Sequence, residues 1–325
     1  KGPAVGQHLN SIAERAAGVA TDLPVDPLAF QWHPEVWVLV AFLAAAYVYM
    51  VRVIGPGAVA KGQPVVSRAN TISFVLAMLV LWVASDWPIH DISEEYLYSA
   101  HMLQHMMLSY FLPPLALMAT PTWLARILLG DGGLYRVVKW FTMPVIAAVL
   151  FNGVVMFIHI PLIVNESVAN GPMHYGIHIL VVSASLLMWM PVCGPLPEFR
   201  IGVAGAMIYL FLQSVVPTVP AAWLTFADDV VYKAYDKPLR LWGISAVDDQ
   251  QLAGAVMKVA GGLYLWGIVI FLFFTKFAAR HSESYDFKRG SKISAVDAVG
   301  NEQTALTTED VERQFAKSVP QTDAG

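Results

Sequence analysis

The sequence predicts an all-α fold: a polytopic membrane bundle of seven transmembrane helices, with the N-terminus outside and the C-terminus cytoplasmic. Three observations carry this. Apolar residues make up 57% of the 325 and charged residues only 14%, with mean hydropathy +0.56, which is more apolar surface than a soluble core of this size buries. Stretches of roughly 20 residues, the helical length that crosses a hydrocarbon core of about 30 Å, recur along the chain. Lys and Arg collect in alternate connections between those stretches.

The predicted spans are 36–54, 67–84, 96–117, 137–158, 171–190, 201–226 and 251–277. Lipid requires each crossing segment to satisfy its own backbone, and the strict alternation of a membrane barrel is absent, so these are helices. Pro113 and Pro114 fall late in the third span and Pro217 and Pro220 within the sixth; each removes a backbone donor and predicts a kink. Residues 1–35 form an extracytoplasmic lead, 36–277 the membrane domain, and 278–325 a polar, largely disordered cytoplasmic tail. Twelve Lys and Arg, among them Arg52, Lys61, Arg126, Lys139 and Arg200, fall on one side against five on the other. The first side is cytoplasmic. The acidic group Asp86, Asp91, Glu94 and Glu95 then falls outside.

Net charge of −4 gives no sign of nucleic-acid binding. A single cysteine, Cys193, excludes an internal disulfide or a thiolate cluster, so any metal chemistry uses other ligands.

Histidine supplies them. Two of the nine histidines' pairings stand four apart, His101/His105 and His174/His178, where random placement gives roughly a quarter of one such pair. Residues i and i+4 lie about 40° apart on one helical face, so each pair looks into one pocket. The orientation puts all four within about 3–14 Å of the outer helix ends, and His159, closing the fourth span, joins them, with His90 in the adjoining loop. Ionisable groups inside membranes are costly and mark function, and neutral imidazole ligates copper, zinc and iron. The expected metal ligands are therefore His101, His105, His159, His174 and His178. Met102, Met106, Met107, Met173 and Met257 lie at similar depth; thioether sulfur suits Cu(I), although methionines in a bundle more often pack. Of these Met257 is the one weak candidate. Lys258 either snorkels to the interface or faces the pocket, the former being preferred beside a cation. Asp249 and Gln250 either cap the last helix or orient a histidine.

The blocks Ser99-Ala100-His101-Met102-Leu103-Gln104-His105-Met106, Phe157-Ile158-His159-Ile160-Pro161, Met173-His174-Tyr175-Gly176-Ile177-His178, Trp189-Met190-Pro191 and the run from Asp249 to Met257 resemble, in this order, the CtaG-like seven-helix family of bacterial cytochrome c oxidase assembly factors. The resemblance spans about residues 36–277. It implies a bacterial plasma-membrane protein that handles copper for cytochrome c oxidase subunits at the outer surface. The sequence shows no nucleophile–base triad, phosphate-binding glycine loop or paired catalytic carboxylates, so an enzyme is not expected. Lys258, where an apolar residue is expected, and the long polar tail depart from the pattern. Two further readings stay open: a membrane protein binding haem through axial histidines for electron transfer, and a structural subunit associated with the oxidase. The first predicts a Soret band. A transporter is disfavoured, since no charged path crosses the mid-membrane and no repeat is visible.

Overall fold

A computed structural model describes residues 29–278 and two short strands, Ala295–Val296 and Glu302–Gln303, paired antiparallel. The chain divides into two compact units, 1–269 and 270–325; the second holds those strands and the end of the last helix. The disorder expected of the tail, and most of the lead, concern residues outside the described ones.

The first unit is a helix bundle. Helix α1 spans Pro34–Ala58, with Pro34 at its first turn, where a missing N–H costs nothing, and a π-helical turn at Met50–Ile54. Only 6% of its most apolar window is buried, so this face is left for lipid. Helix α2, Arg68–Ser85, starts from a capping box in which the Ser67 hydroxyl accepts from the Asn70 N–H and the Asn70 side chain accepts from the Ser67 N–H. A short helix α3, Ile89–Glu95, follows after a turn at Asp86–Pro88, so His90, Asp91, Glu94 and Glu95 sit on a helix and not in a loop as expected, while Asp86 ends α2.

The third span runs Tyr98–Ala119 (α4) and turns by 98° into Thr122–Leu129 (α5). Its expected kink is a π-helical turn at Met107–Phe111. Pro113 has no N–H for the carbonyl of Ser109, four residues earlier, and the indole Nε1 of Trp189 donates to that carbonyl instead, at 3.0 Å. The fourth span is not the single helix expected over 137–158. It is Gly133–Phe141 (α6) and Pro144–Ile158 (α7), bent by 73°, because Pro144 cannot continue the ladder from α6. In α6 Leu134, Val137 and Trp140 are exposed together, an apolar stripe at helical spacing. Helix α8, Pro161–Ala169, falls between expected spans.

Helix α9, Gly171–Cys193, is followed by Val203–Val215 (α10) and Thr218–Thr225 (α11), broken at Pro217 as expected, and by α12, Ala246–Lys276. Among the described residues, five helical segments are long and apolar enough to cross a membrane when α2 is taken with α3 and α10 with α11, and up to seven if each bent pair counts as one crossing. Polarity is inverted relative to a soluble protein. Ser185, Gln213, Asp249 and Gln250 are buried while Val38, Phe42, Val145 and Leu263 are exposed, the arrangement that hydrocarbon solvent favours.

Candidate metal centre

Helix α4 begins without a local cap, since Leu97 has no polar side chain. The cap arrives from 150 residues away: the carboxylate of Asp249 in α12 accepts from the backbone N–H of Tyr98 (2.6 Å) and of Ser99 (3.0 Å) and from the Ser99 hydroxyl (2.5 Å). A buried anion at a helix N-terminus meets both unpaired N–H groups and the positive end of the helix dipole. It fixes the turn from which His101 and His105 project, their rings 4.4 Å apart.

Helix α9 starts at Asn170, whose side chain accepts from the Met173 N–H. His174 and His178 follow one turn apart, with Nε2 atoms separated by 2.8 Å. Their face meets that of α4: the His105 and His178 rings are 4.8 Å apart and those of His101 and His178 5.9 Å. One ligand nitrogen from each of His101, His105 and His178 lies within 4.8 Å of the others. His174 backs this triad, its Nε2 also 2.9 Å from Glu94 Oε1 in α3.

His159 ends α7. Its Nδ1 lies 2.6 Å from the carbonyl of Val155, so the ring proton sits on Nδ1 and the Nε2 lone pair is left free, the form a metal ligand needs. A cavity of about 20 Å³ lies between His101, His105, His159, His174, Met102 and Tyr98, room for one water-sized body. Three imidazole nitrogens here, His101 Nδ1, His105 Nε2 and His159 Nε2, are buried with no hydrogen-bond partner. Each such atom costs about 1–3 kcal/mol, a cost that coordination removes. Donor type, spacing and unsatisfied lone pairs therefore fit a single transition-metal ion.

The connection 226–245 closes over this pocket. Tyr232 donates to the carbonyl of His159 (2.9 Å) and Tyr235 to that of Ser93 (3.2 Å), and both rings pack on Tyr98, at 4.6 and 5.1 Å. Gln250 pins the connection, accepting from the Val231 N–H and donating to the carbonyl of Asp229. Burial pushes both tyrosine hydroxyls well above their ordinary range, so they remain donors at any physiological pH.

The structure thus gathers all five sequence-predicted histidines, and it gives each of their neighbours a place, some of them other than expected. Asp249 caps α4, not its own helix, which Ser245 caps. Gln250 holds the 226–245 connection. Met257 packs in an apolar cluster with Tyr98, Ala221 and Leu224, and Met102 is the methionine that lines the cavity. Lys258 is exposed and donates to the Thr218 hydroxyl at 2.6 Å, away from the histidines. Cys193 bonds weakly back to the carbonyl of Trp189. Glu94 was missed as a site residue; the signal was its position in an acidic group free of Lys and Arg.

A family model described as "Cytochrome c oxidase caa3 assembly factor" matches residues 45–279. No curated protein and no solved structure matches the chain.

Proposed function

The chain belongs to the cytochrome c oxidase caa3 assembly factor family, and from that premise we propose that it binds copper as cargo through His101, His105 and His178, with His159 and His174 beside them, and delivers it to the oxidase. The observation that carries this is the meeting of three imidazoles with ligand nitrogens within 4.8 Å, two of them contributing buried nitrogens that have no other partner. In this reading the chain crosses a bacterial plasma membrane seven times with its N-terminus outside, supported by the Lys and Arg distribution, and the histidines open outwards.

Delivery needs ligands that exchange. An all-imidazole set holds Cu(I) or Cu(II) without the closure of a thiolate cage, and His159 and His174 offer incoming nitrogens, so an ion is passed by substituting one ligand at a time. Asp249 and Glu94 position the helices and rings that supply these ligands. The role is non-catalytic. A haem site is disfavoured by a cavity of about 20 Å³, far too small for a macrocycle.

Elemental mass spectrometry and visible absorption of the purified protein beside His101→Ala/His105→Ala test the proposal. Copper present in the wild type and lost in the variant, with no Soret band and with lowered oxidase activity in cells, is the expected result. A Soret band lost in the variant, or undiminished oxidase, overturns it.

A further inference from the structure

Helix α6, Gly133–Phe141, presents three faces. Tyr135 and Val138 pack on the buried cluster of Ala125, Leu196 and Phe199, so this face is turned to the protein. At 100° per residue, Leu134, Val137 and Phe141 fall within about 60° of one another, roughly a quarter turn from the packed face. Leu134 and Val137 are exposed, and the exposed Met143 and Val145 continue the apolar run into α7. Arg136 and Lys139, both exposed, lie a quarter turn to the other side, roughly opposite the apolar stripe.

The charge on this basic face is uncompensated. Glu198, the carboxylate packed nearest the helix, is taken by Arg126 Nη1 at 2.6 Å and by the Tyr135 hydroxyl at 3.2 Å. Among the described residues Arg136 and Lys139 have no ion-pair partner; Lys139 Nζ stands 5.9 Å from the centroid of the Tyr135 ring. Between the basic and apolar faces, on the side turned away from the protein, an open groove of about 350 Å³ is lined by Gly133, Arg136, Val137, Trp140 and Phe141. A cation borders it on one edge and apolar carbon on the other, with the exposed Trp140 indole between them.

The bend of 73° between α6 and α7 sets how this groove lies. With α7 crossing the membrane at the tilt of about 20° usual for such helices, α6 runs close to the membrane plane, where an apolar stripe meets acyl chains and cations meet headgroups. Trp is a residue that settles at that boundary. An acidic protein partner would have no use for the apolar stripe, and hydrocarbon alone none for the cations. A phospholipid answers to both.

We propose that α6 is an in-plane membrane anchor whose groove binds the phosphate of an anionic phospholipid, with Arg136 and Lys139 supplying the charge and Leu134, Val137 and Phe141 receiving the acyl chains. The inference rests on the bundle standing in a membrane and is independent of copper delivery. Each basic residue near an anionic surface is worth about fivefold in affinity, so the pair gives a preference of roughly 30-fold over a zwitterionic headgroup.

Photolabelling of the full-length protein in bilayers tests it, using phosphatidylglycerol and phosphatidylcholine probes that carry a diazirine in the upper acyl chain, followed by peptide mapping. In the wild type, residues 133–141 are expected to take up the phosphatidylglycerol probe well above the phosphatidylcholine probe at low salt. Arg136→Gln/Lys139→Gln removes that preference, and the charge-conserving Arg136→Lys/Lys139→Arg keeps it. Label on α1, of whose most apolar window only 6% is buried, is the bilayer reference and stays constant. Equal labelling of 133–141 by both probes in the wild type, or a preference that survives the Gln pair, overturns the headgroup site. Label on α1 with none on 133–141 overturns the anchor and leaves the face to a protein partner. Absence of label from both sinks the membrane placement itself, and the inference with it.

Discussion

Replacing Asp249 by Asn isolates the contribution of one carboxylate to the metal centre. The buried carboxylate accepts three hydrogen bonds from the first turn of α4, at 2.5, 2.6 and 3.0 Å. Bonds to a charged acceptor are worth about 1.5–3 kcal/mol each. Asn keeps one acceptor oxygen but turns an N–H towards at least one of the donors and removes the charge facing the helix dipole. One to two of the three bonds are lost, about 2–4 kcal/mol, or roughly a 30- to 700-fold shift in the folding equilibrium. His101 lies only two residues beyond Ser99, so copper retention should fall as well. Denaturant unfolding in detergent micelles and copper content measure the two effects. Asp248→Asn, one residue away and exposed, is the control and should stay within about 0.5 kcal/mol. An Asp249→Asn protein that unfolds with the wild type and keeps its copper would refute the reasoning.

Three other substitutions probe what surrounds the centre. Trp189→Phe keeps an aromatic ring, smaller than the buried indole, and orphans the Ser109 carbonyl already deprived by Pro113; a loss of at least about 1–3 kcal/mol is expected on thermal or denaturant unfolding, and less than 0.5 kcal/mol would show that the indole donor is dispensable. A methyl group on Gly254 would stand 2.6 Å from the carbonyl oxygen of Ala221 and 2.9 Å from the Thr225 nitrogen, both backbone atoms; Gly254→Ala should therefore push α12 from α11 and cost about 1–3 kcal/mol, and a wild-type melting curve would contradict the packing. Tyr232→Phe removes the bond to the His159 carbonyl and costs only about 1 kcal/mol, but it loosens the 226–245 connection over the cavity; copper should then be extracted faster by an external chelator, and an unchanged extraction rate would remove that connection from the access route.

What the sequence made legible was what is local. A four-residue histidine spacing fixes a shared helical face whatever the tertiary structure, so the pairs His101/His105 and His174/His178 were visible, and the orientation argument set His159 at their level. Elements whose meaning depends on a distant partner were not. Asp249 stands where a cap for its own helix would stand, and only the packing of α12 on α4 shows that it caps a helix 150 residues earlier. Glu94 had no visible partner because α3 precedes α9 by some 75 residues and the two meet only in the folded bundle. The break at Pro144 was hidden by hydropathy, since α6 and α7 are both apolar enough to read as one crossing and only backbone chemistry separates them.

The remaining feature, the π-helical turn in α4, explains how one helix serves two neighbours. In an unbroken helix residues 101, 105, 108 and 112 form a single stripe, spaced by four, three and four. Here Leu108 and Leu112 pack with Ala77 and Ala84 of α2, whereas His101 and His105 face His178 of α9. The turn at Met107–Phe111 accommodates one extra residue, which offsets every side chain beyond it by about 100°. The N-terminal half of α4 is thereby free to present imidazoles to the cavity while its C-terminal half presents leucines to α2. Pro113 stabilises this arrangement by making a regular ladder impossible at that point, and the Trp189 indole satisfies the carbonyl left over. The block of residues 99–106 and the proline pair at 113 and 114 are therefore parts of one device: the first supplies the clustered imidazoles, and the second supplies the change of face that lets one helix carry them towards the cavity.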